Sequence, residues 1–227
     1  MLETEMEKLE YFANFCHRIH MNRNRRANIP DQATCLDVMA RYEMPAHVVR
    51  HSQTVTTVAL YLARRLNQVG FKLDPDLVRA AGLLHDITKR HSFDRPLDHA
   101  LTGAKLLRKL GYPEVAEVVR QHVRLSASRP ADLLAEPEIV NYSDKRVVND
   151  KVVSLDDRIA YIKERYATTA EAGKWLERAM SRFYGLEKRI FSLLPEGPDH
   201  LIRLELDLDR LEVVDAGSAR SESGVRA

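Results

Sequence analysis

The sequence predicts an all-α protein with a short strand or hairpin near its C-terminus. Along most of the 227 residues, apolar side chains recur at three- and four-residue steps, the spacing of one buried helix face. Asp31 and the Asp74-Pro75 pair mark predicted helix beginnings, and Gly70 and Gly111 mark predicted ends. Residues 201–211 differ, because leucines alternate there with charged residues at the two-residue period of a strand.

Each predicted helix depends on a local signal. A proline or a capping residue precedes most of the apolar stripes, and glycine or a turn-forming stretch follows them. The stretches "HSFDRPL" and "SASRPADLLAEPE" are rich in turn-forming residues and are predicted to be loops. In chain order, helices are predicted at about residues 2–16, 31–39, 45–66, 75–84, 99–110, 113–122, 138–149, from 154 onward, and 169–194.

The chain divides into four predicted parts. A length of 227 residues is enough for one sizeable domain with short additions. Residues 45–165 form the predicted central domain, and residues 1–44 form a helical segment that packs on it. Residues 166–212 form a helical extension. Residues 213–227 are small and polar, which predicts a disordered tail.

Composition narrows the class of protein. With 44% hydrophobic and 30% charged residues, the chain has the composition of a soluble globular protein. It has no apolar run long enough to cross a membrane, and its N-terminus lacks the layout of a signal peptide. The two cysteines, Cys16 and Cys35, are therefore expected to be reduced thiols in a cytoplasmic protein.

Charge gives little support to a nucleic-acid partner. The net charge is only +2, although the sequence pI is about 8.5. One basic run at residues 17–26 could contact phosphates, but such a run is more often a solvated helix end. The leucines of residues 201–211 leave a homodimer contact open as an alternative to an edge strand.

Six residues on apolar helical backgrounds form a candidate metal site. Imidazole nitrogen and carboxylate oxygen suit divalent transition metals such as Fe, Mn, Co, Ni or Zn. Adjacent helical residues point roughly 100° apart, so a His-Asp pair needs other helices to complete a metal site. A two-oxygen carboxylate could also bridge two metals, so one ion or two are expected. The candidate ligands are His51, His85, Asp86, His99, His122 and Asp144.

Each candidate also has an ordinary alternative. A single buried histidine more often packs in a core, and a single aspartate more often forms a salt bridge. His99 and His122 could instead orient the ligands of a one-metal site or bind phosphate. Lys89 follows the His85-Asp86 pair by about one helical turn, so it is either a phosphate contact or a solvated helix lysine.

Three segments give the chain a resemblance to the HD phosphohydrolase superfamily. "RHSQTVTTVALYLA" contains His51, "LLHDITK" contains His85 and Asp86, and "NYSDKRV" contains Asp144, which is the order of that superfamily's H…HD…D pattern. The likeness covers about residues 45–165. It implies an HD-domain helical bundle, a bound divalent metal and hydrolysis of phosphate esters or anhydrides. By position, it makes those four residues the shared metal ligands.

Two further segments resemble a narrower subgroup. "DHALTGAKLL" with His99 and "VVRQHV" with His122 look like parts of bacterial HD proteins that hydrolyse symmetrical dinucleoside tetraphosphates. In that subgroup, two such histidines and a bridging aspartate hold a second metal, which maps to His99, His122 and Asp86. The chain differs in its N-terminal segment, its C-terminal extension and "SDKRV", and in general texture it is similar to HDIG-type phosphohydrolases.

The predicted function is hydrolysis of a phosphate ester or anhydride of a nucleotide-like substrate by a metal-activated water. Asp86 and Lys89 are the predicted catalytic residues. A general acid in the neighbouring loop could be His91, Asp94 or Asp98. Contacts to substrate phosphates are predicted for Lys89 first and, on weaker grounds, for Arg95, Arg124, Lys145 and Arg146.

A second interpretation is a non-catalytic HD sensor that binds a nucleotide or a metal and signals through its terminal helices. The complete set of candidate ligands favours the enzyme. In both cases the expected partner is a small phosphorylated molecule, with nucleic acid and membranes not expected.

Overall fold

The computed structural model describes residues 28–92, 98–126, 133–166 and 170–214. Within these ranges the fold is helical with two small antiparallel hairpins, which confirms the all-α prediction. No described helix is long and apolar enough to cross a membrane. The α-helices are α1 (Gln32–Arg41), α2 (Ala46–Gln68), α3 (Pro75–Leu84), α4 (His99–Lys109), α5 (Pro113–Arg120), α6 (Glu136–Asp144), α7 (Leu155–Tyr166) and α8 (Ala170–Phe191), with 3₁₀ turns at Lys89–Ser92 and Pro198–Arg203.

The local signals act as the sequence predicts. The Asp31 side chain accepts a hydrogen bond from the Thr34 amide at the start of α1, and the Asp74 side chain caps α3 in the same way. Gly70 and Gly111 follow α2 and α4 with φ angles of 106° and 89°. These left-handed conformations favour glycine, so the two helices end where glycine becomes available.

Helix α2 is the centre of the core. Helices α3 and α6 pack along it, and α4 and α5 pack on each other at the end of the bundle that carries the candidate site. The buried stripe of α2 includes Val55, Leu62 and Leu66, each with no exposed surface. One hydrophobic cluster contains residues of all six helices from α1 through α6 and of the end of α8. The candidate ligands on different helices are therefore held by a shared core.

Gly82 allows α3 to approach α2 closely. A Cβ atom at this position would lie 2.6 Å from the Thr56 hydroxyl oxygen and 3.1 Å from the Thr56 Cα. The Cα belongs to the backbone of α2, so the contact cannot be relieved by a rotamer change. Because His85 follows Gly82 by one turn, this close crossing also sets how near His85 comes to α2.

Replacing Gly82 with alanine is expected to destabilise the protein by about 1–3 kcal/mol, because overpacking forces the two helices apart. Gly185 in α8 is the matched control, since a Cβ there meets no atom within 4 Å. Gly185→Ala should stabilise by about 0.5–1 kcal/mol through helix propensity. Urea unfolding of both variants measures the difference, and equal effects of the same sign would contradict the close-packing account.

The predicted helix over residues 138–149 ends earlier, at Asp144. A hairpin of β1 (Val147–Val148) and β2 (Lys151–Val152) follows, in which Val147 pairs with Val152 and Val148 with Lys151. Asn149 at its turn has a φ of 55°, which a right-handed helix cannot contain. The Asn149-Asp150 pair between valines is a turn signal that the helix prediction overlooked. The turn places the Asn149 carbonyl beside the candidate site.

The C-terminal region forms a hairpin rather than a continuous strand. Residues 201–203 belong to a 3₁₀ turn, and only Glu205–Asp207 (β3) and Glu212–Val214 (β4) are strands. Strand β4 reaches two residues into the predicted tail. The first predicted helix, the basic run, Asp94, Arg95 and the rest of the tail lie outside the described residues, and the division into four parts stays a prediction.

Candidate metal centre

Four buried side chains from three regions of the chain converge at one end of the bundle. His51 lies in α2, His85 and Asp86 follow α3, and Asp144 is the last residue of α6. His51 Nε2 is 3.2 Å from Asp144 Oδ1 and 3.9 Å from Asp86 Oδ2. His85 Nε2 is 3.3 Å from Asp86 Oδ2 and 3.9 Å from Asp144 Oδ1. Bonds of ~2.0–2.2 Å to one ion separate neighbouring ligand atoms by roughly 3–3.5 Å, so these donors are close to a metal-binding arrangement.

The second oxygen of Asp86 faces a different pair of histidines. Asp86 Oδ1 is 3.5 Å from His99 Nε2 and 3.7 Å from His122 Nε2. These two ring nitrogens lie 3.2 Å apart. Asp86 therefore has one oxygen toward each group of donors, which is the arrangement that a bridging carboxylate requires.

Backbone carbonyls orient three of the histidine rings. The Nδ1 atoms of His51, His85 and His122 each lie 2.7 Å from a carbonyl oxygen, those of Asn149, Gly82 and Val119 respectively. Since a carbonyl can only accept, each Nδ1 carries a proton and donates. With Nδ1 occupied in this way, Nε2 is the ring nitrogen that faces the cluster and that a metal ion would bind.

His85 Nε2 is the strongest sign that the cluster suits a cation. Among the residues that the structure describes, this nitrogen has no hydrogen-bond partner, and the ring is fully buried. A buried nitrogen lone pair without a partner costs free energy, whereas a metal ion would satisfy it together with the nearby carboxylates. His51, His85 and Asp144 form one group whose donor atoms could hold an ion, and His85, Asp86 and His122 form another.

The charges of the site fit the same role. Burial opposes ionisation of Asp86, but His85, His122 and Lys89 outweigh it and hold the pKa of Asp86 well below its ordinary value. Burial likewise opposes ionisation of Asp144, whose pKa is held well below its ordinary value by Lys145 and other neighbours. Both carboxylates are therefore anionic at neutral pH.

The pKa values of His99 and His122 are shifted mainly by burial. Burial, reinforced by repulsion from His122, lowers the pKa of His99 to about 4. Burial also lowers the pKa of His122. At neutral pH both rings keep the unprotonated nitrogen that metal binding needs.

Two lysines neutralise the carboxylates. Lys89 Nζ donates to Asp86 Oδ2, and Lys145 Nζ donates to Asp144 Oδ2, both at 2.6 Å. The Lys89 side chain is 34% exposed, whereas that of Lys145 is 9% exposed. Lys89 thus lies at the edge of the cluster, where a substrate can reach it. Sequence reasoning missed Arg158 of α7, whose guanidinium lies 3.9 Å from Asp144 Oδ1, because nothing in its local sequence links it to the site.

Three other predicted residues that the structure describes do not join the cluster. Arg124 is exposed beside a neighbouring groove. Arg146 is 1% exposed and donates to Tyr142, Glu187 and two backbone carbonyls, so its contacts favour structural support over a phosphate contact. Asp98 caps α4 through the amides of residues 100 and 101.

The fold and this cluster define a helical domain with a histidine–aspartate centre. The HD domain family matches residues 48–161, about half of the chain, so the chain belongs to the HD domain family. Every residue of the cluster lies within the match. HD domains bind divalent metals, and the His and Asp groups described above could hold one.

Several proteins are similar to this chain. An uncharacterised protein of Methanocaldococcus jannaschii is 31% identical over 132 residues, which cover 52% of this chain and 77% of that protein. The dihydroneopterin 2′,3′-cyclic phosphate phosphodiesterase of the same organism is 30% identical over 140 residues, which cover 55% of this chain and 54% of that protein. The tRNA (cytidine(56)-2′-O)-methyltransferase of Thermoplasma volcanium is 26% identical over 186 residues, which cover 76% of this chain and 50% of that protein. The chain thus spans only about half the length of the last two.

A solved structure is also similar. It is the crystal structure of a predicted HD superfamily hydrolase from an uncultured Thermotogales bacterium, which shares 24% sequence identity with this chain. The TM-score is 0.41, and the match covers 73% of this chain and 94% of that chain.

Proposed function

We propose that the protein is a metal-dependent phosphohydrolase that cleaves a phosphate ester or anhydride of a small, nucleotide-like substrate. The observation that carries this proposal is the division of Asp86 between two sets of imidazole donors, with Oδ2 toward His85 and Oδ1 toward His99 and His122. Divalent ions held there would lower the pKa of a water molecule and neutralise charge on phosphoryl oxygens.

The chain's own groups would orient the reacting parts. The carbonyls behind His51, His85 and His122 fix the three rings, so the donors are preorganised before substrate arrives. Lys89, at the exposed edge, is placed to donate to a phosphate oxygen. Lys145 lies deeper and would hold Asp144 in position through its 2.6 Å hydrogen bond.

The choice of substrate class has support from two directions. The similarity to a dihydroneopterin 2′,3′-cyclic phosphate phosphodiesterase favours a phosphate ester on a small heterocyclic molecule. The pair His99 and His122 favours a two-ion site, as in the subgroup that acts on symmetrical dinucleoside tetraphosphates. Cyclic phosphates and dinucleoside polyphosphates are therefore the first substrates to test.

The test is metal analysis followed by a screen in which chromatography separates substrates from products, because opening a cyclic phosphate or cutting a dinucleoside tetraphosphate in half releases no free phosphate. The purified protein is stripped, reloaded separately with Fe, Mn, Co, Ni or Zn, and assayed with 2′,3′-cyclic nucleotides, nucleotides and dinucleoside tetraphosphates. We expect metal-dependent hydrolysis of at least one substrate. If metal and nucleotide bind but no bond is cleaved in any combination, the protein is a sensor and the enzyme proposal is wrong.

His99→Ala should reduce the number of bound metal ions from two to one. The substitution removes a donor on the Oδ1 side of Asp86 and leaves His51, His85 and Asp144 intact. Elemental analysis after dialysis measures the ratio. His47→Ala is the matched control, because His47 is an exposed histidine of α2 outside the cluster. A wild-type ratio of one, unchanged in His99→Ala, would contradict the two-ion site.

A further inference from the structure

A groove of about 640 Å³ lies beside the candidate metal centre. One wall is the chain after α5, and the other walls are α6 and α8. The middle of α8 lies beyond residue 161, where the HD domain match ends. The groove is therefore built partly by residues that this chain adds to its HD domain. Lining residues that bear on its chemistry are Arg124, Glu138, Asn141, Arg178, Arg182, Phe183 and Arg189.

The groove carries an excess of positive charge. Its four arginines face one glutamate, Glu138, and that glutamate pairs with Arg189 at 3.0 Å. Arg124, Arg178 and Arg182 are exposed and form no ion pair within the described part of the chain. Three guanidinium groups without a carboxylate partner around one concave surface are suited to an anion with several charges, and phosphate is the anion that arginine binds best in a bidentate manner.

The groove and the metal centre share a wall. The His122 carbonyl accepts hydrogen bonds from Asn141 Nδ2 at 2.8 Å and from Lys145 Nζ at 3.2 Å. The same Lys145 ammonium binds Asp144 and lies 5.7 Å from the centre of the Phe183 ring. Since Asn141 and Phe183 line the groove, a ligand there is one layer of side chains away from the cluster.

We propose that this groove is an anion site that binds a polyphosphate chain, one layer of side chains away from the metal centre. This inference goes beyond the proposed phosphohydrolase function, because the groove and the metal centre have different lining residues. The volume falls within the ~300–1,000 Å³ of small-molecule sites, which favours a small ligand over a polymer. The arginines of α8 would then select ligands with more than one phosphate.

Calorimetric titration with inorganic tripolyphosphate, in the presence of a chelator, tests the groove without any catalysis. Arg178→Ala/Arg182→Ala should weaken tripolyphosphate binding by at least about tenfold, since two charge-assisted contacts are lost. The matched control is Lys188→Ala/Arg203→Ala, which removes the same charge from exposed positions outside the groove and should change binding less than about twofold. Equal losses in the two double variants would mean nonspecific attraction and would overturn the proposal.

Two further outcomes separate the groove from the proposed activity. If tripolyphosphate binds and the groove variant loses it, but no substrate is hydrolysed, the anion site stands and the phosphohydrolase proposal fails. If a monophosphate ester is hydrolysed but tripolyphosphate does not bind, only the groove proposal fails. A 12-nucleotide RNA is tested in the same way. If wild-type protein binds this RNA, Arg178→Ala/Arg182→Ala does not, and tripolyphosphate does not bind, then the groove binds a polymer and the small-ligand proposal is wrong.

Discussion

Asp86→Asn should eliminate metal-dependent hydrolysis and remove the stabilisation that metal confers on the fold. The amide has only one oxygen and no charge, so it cannot face both sets of histidines as the carboxylate does at 3.3–3.7 Å. Even groups that merely orient metal ligands cost ~10–100-fold in affinity or activity when they are lost, and we expect the loss of the shared ligand to exceed that range.

Thermal unfolding gives a readout of this loss that does not depend on activity. A ligand present at 100 times its Kd stabilises the folded state by ~2.7 kcal/mol, which corresponds to a rise in melting temperature of about 5–10 °C for a chain of this size. Wild-type protein should show this rise when metal is added, and Asp86→Asn should not. Asp37→Asn, on the exposed side of α1, should behave as wild type. A full metal-induced rise in Asp86→Asn would contradict the shared-ligand arrangement.

Much of the fold could be predicted because its signals are local. Asp31 and Asp74 cap the helices that follow them, and Gly70 and Gly111 adopt the left-handed conformation that ends a helix. The early end of α6 was missed, because the Asn149-Asp150 turn signal was read as part of a helix. Its cause is a hairpin with Asn149 in a left-handed conformation, and that hairpin is held by pairing with residues farther along the chain.

The metal-ligand candidates were accessible to sequence reasoning because their chemistry lies in side chains. His51, His85 and Asp144 come together as the order of the motif predicts. The backbone carbonyls that orient the rings could not be predicted, because every residue has a carbonyl group. Only the fold shows that the carbonyls of Gly82 and Asn149 meet histidine Nδ1 atoms.

Arg146 lies close to Asp144 in sequence, but its contacts in the structure favour a structural role. It follows Asp144 by two residues, which suggested a place at the same site. Arg146 lies after the end of α6, in the turn before the hairpin, and its guanidinium donates to Tyr142 and Glu187. Its side chain is therefore buried between the end of α6, α8 and the turn at Pro198.

Arg146→Ala should destabilise the protein by about 3–5 kcal/mol, the cost of breaking a buried ion pair by removal of one partner. Its guanidinium donates to Glu187 at 3.1 Å, to Tyr142 Oη at 2.5 Å and to the carbonyls of Val153 and Pro198 at 2.7 and 3.0 Å. All four acceptors would lose a partner together. Because these contacts join the end of α6 to α8 and to the C-terminal turn, their loss should weaken the packing of the C-terminal extension on the core.

Urea unfolding compares Arg146→Ala with Arg203→Ala, an exposed arginine whose loss should change stability by less than about 0.5 kcal/mol. Arg146→Met/Glu187→Met should recover part of the lost stability, since the double substitution leaves no unpaired carboxylate. Such recovery would show that Arg146 stabilises the packing of the C-terminal extension. If Arg146→Ala instead keeps wild-type stability and raises only the KM for substrate, the residue contacts phosphate and the structural role is wrong.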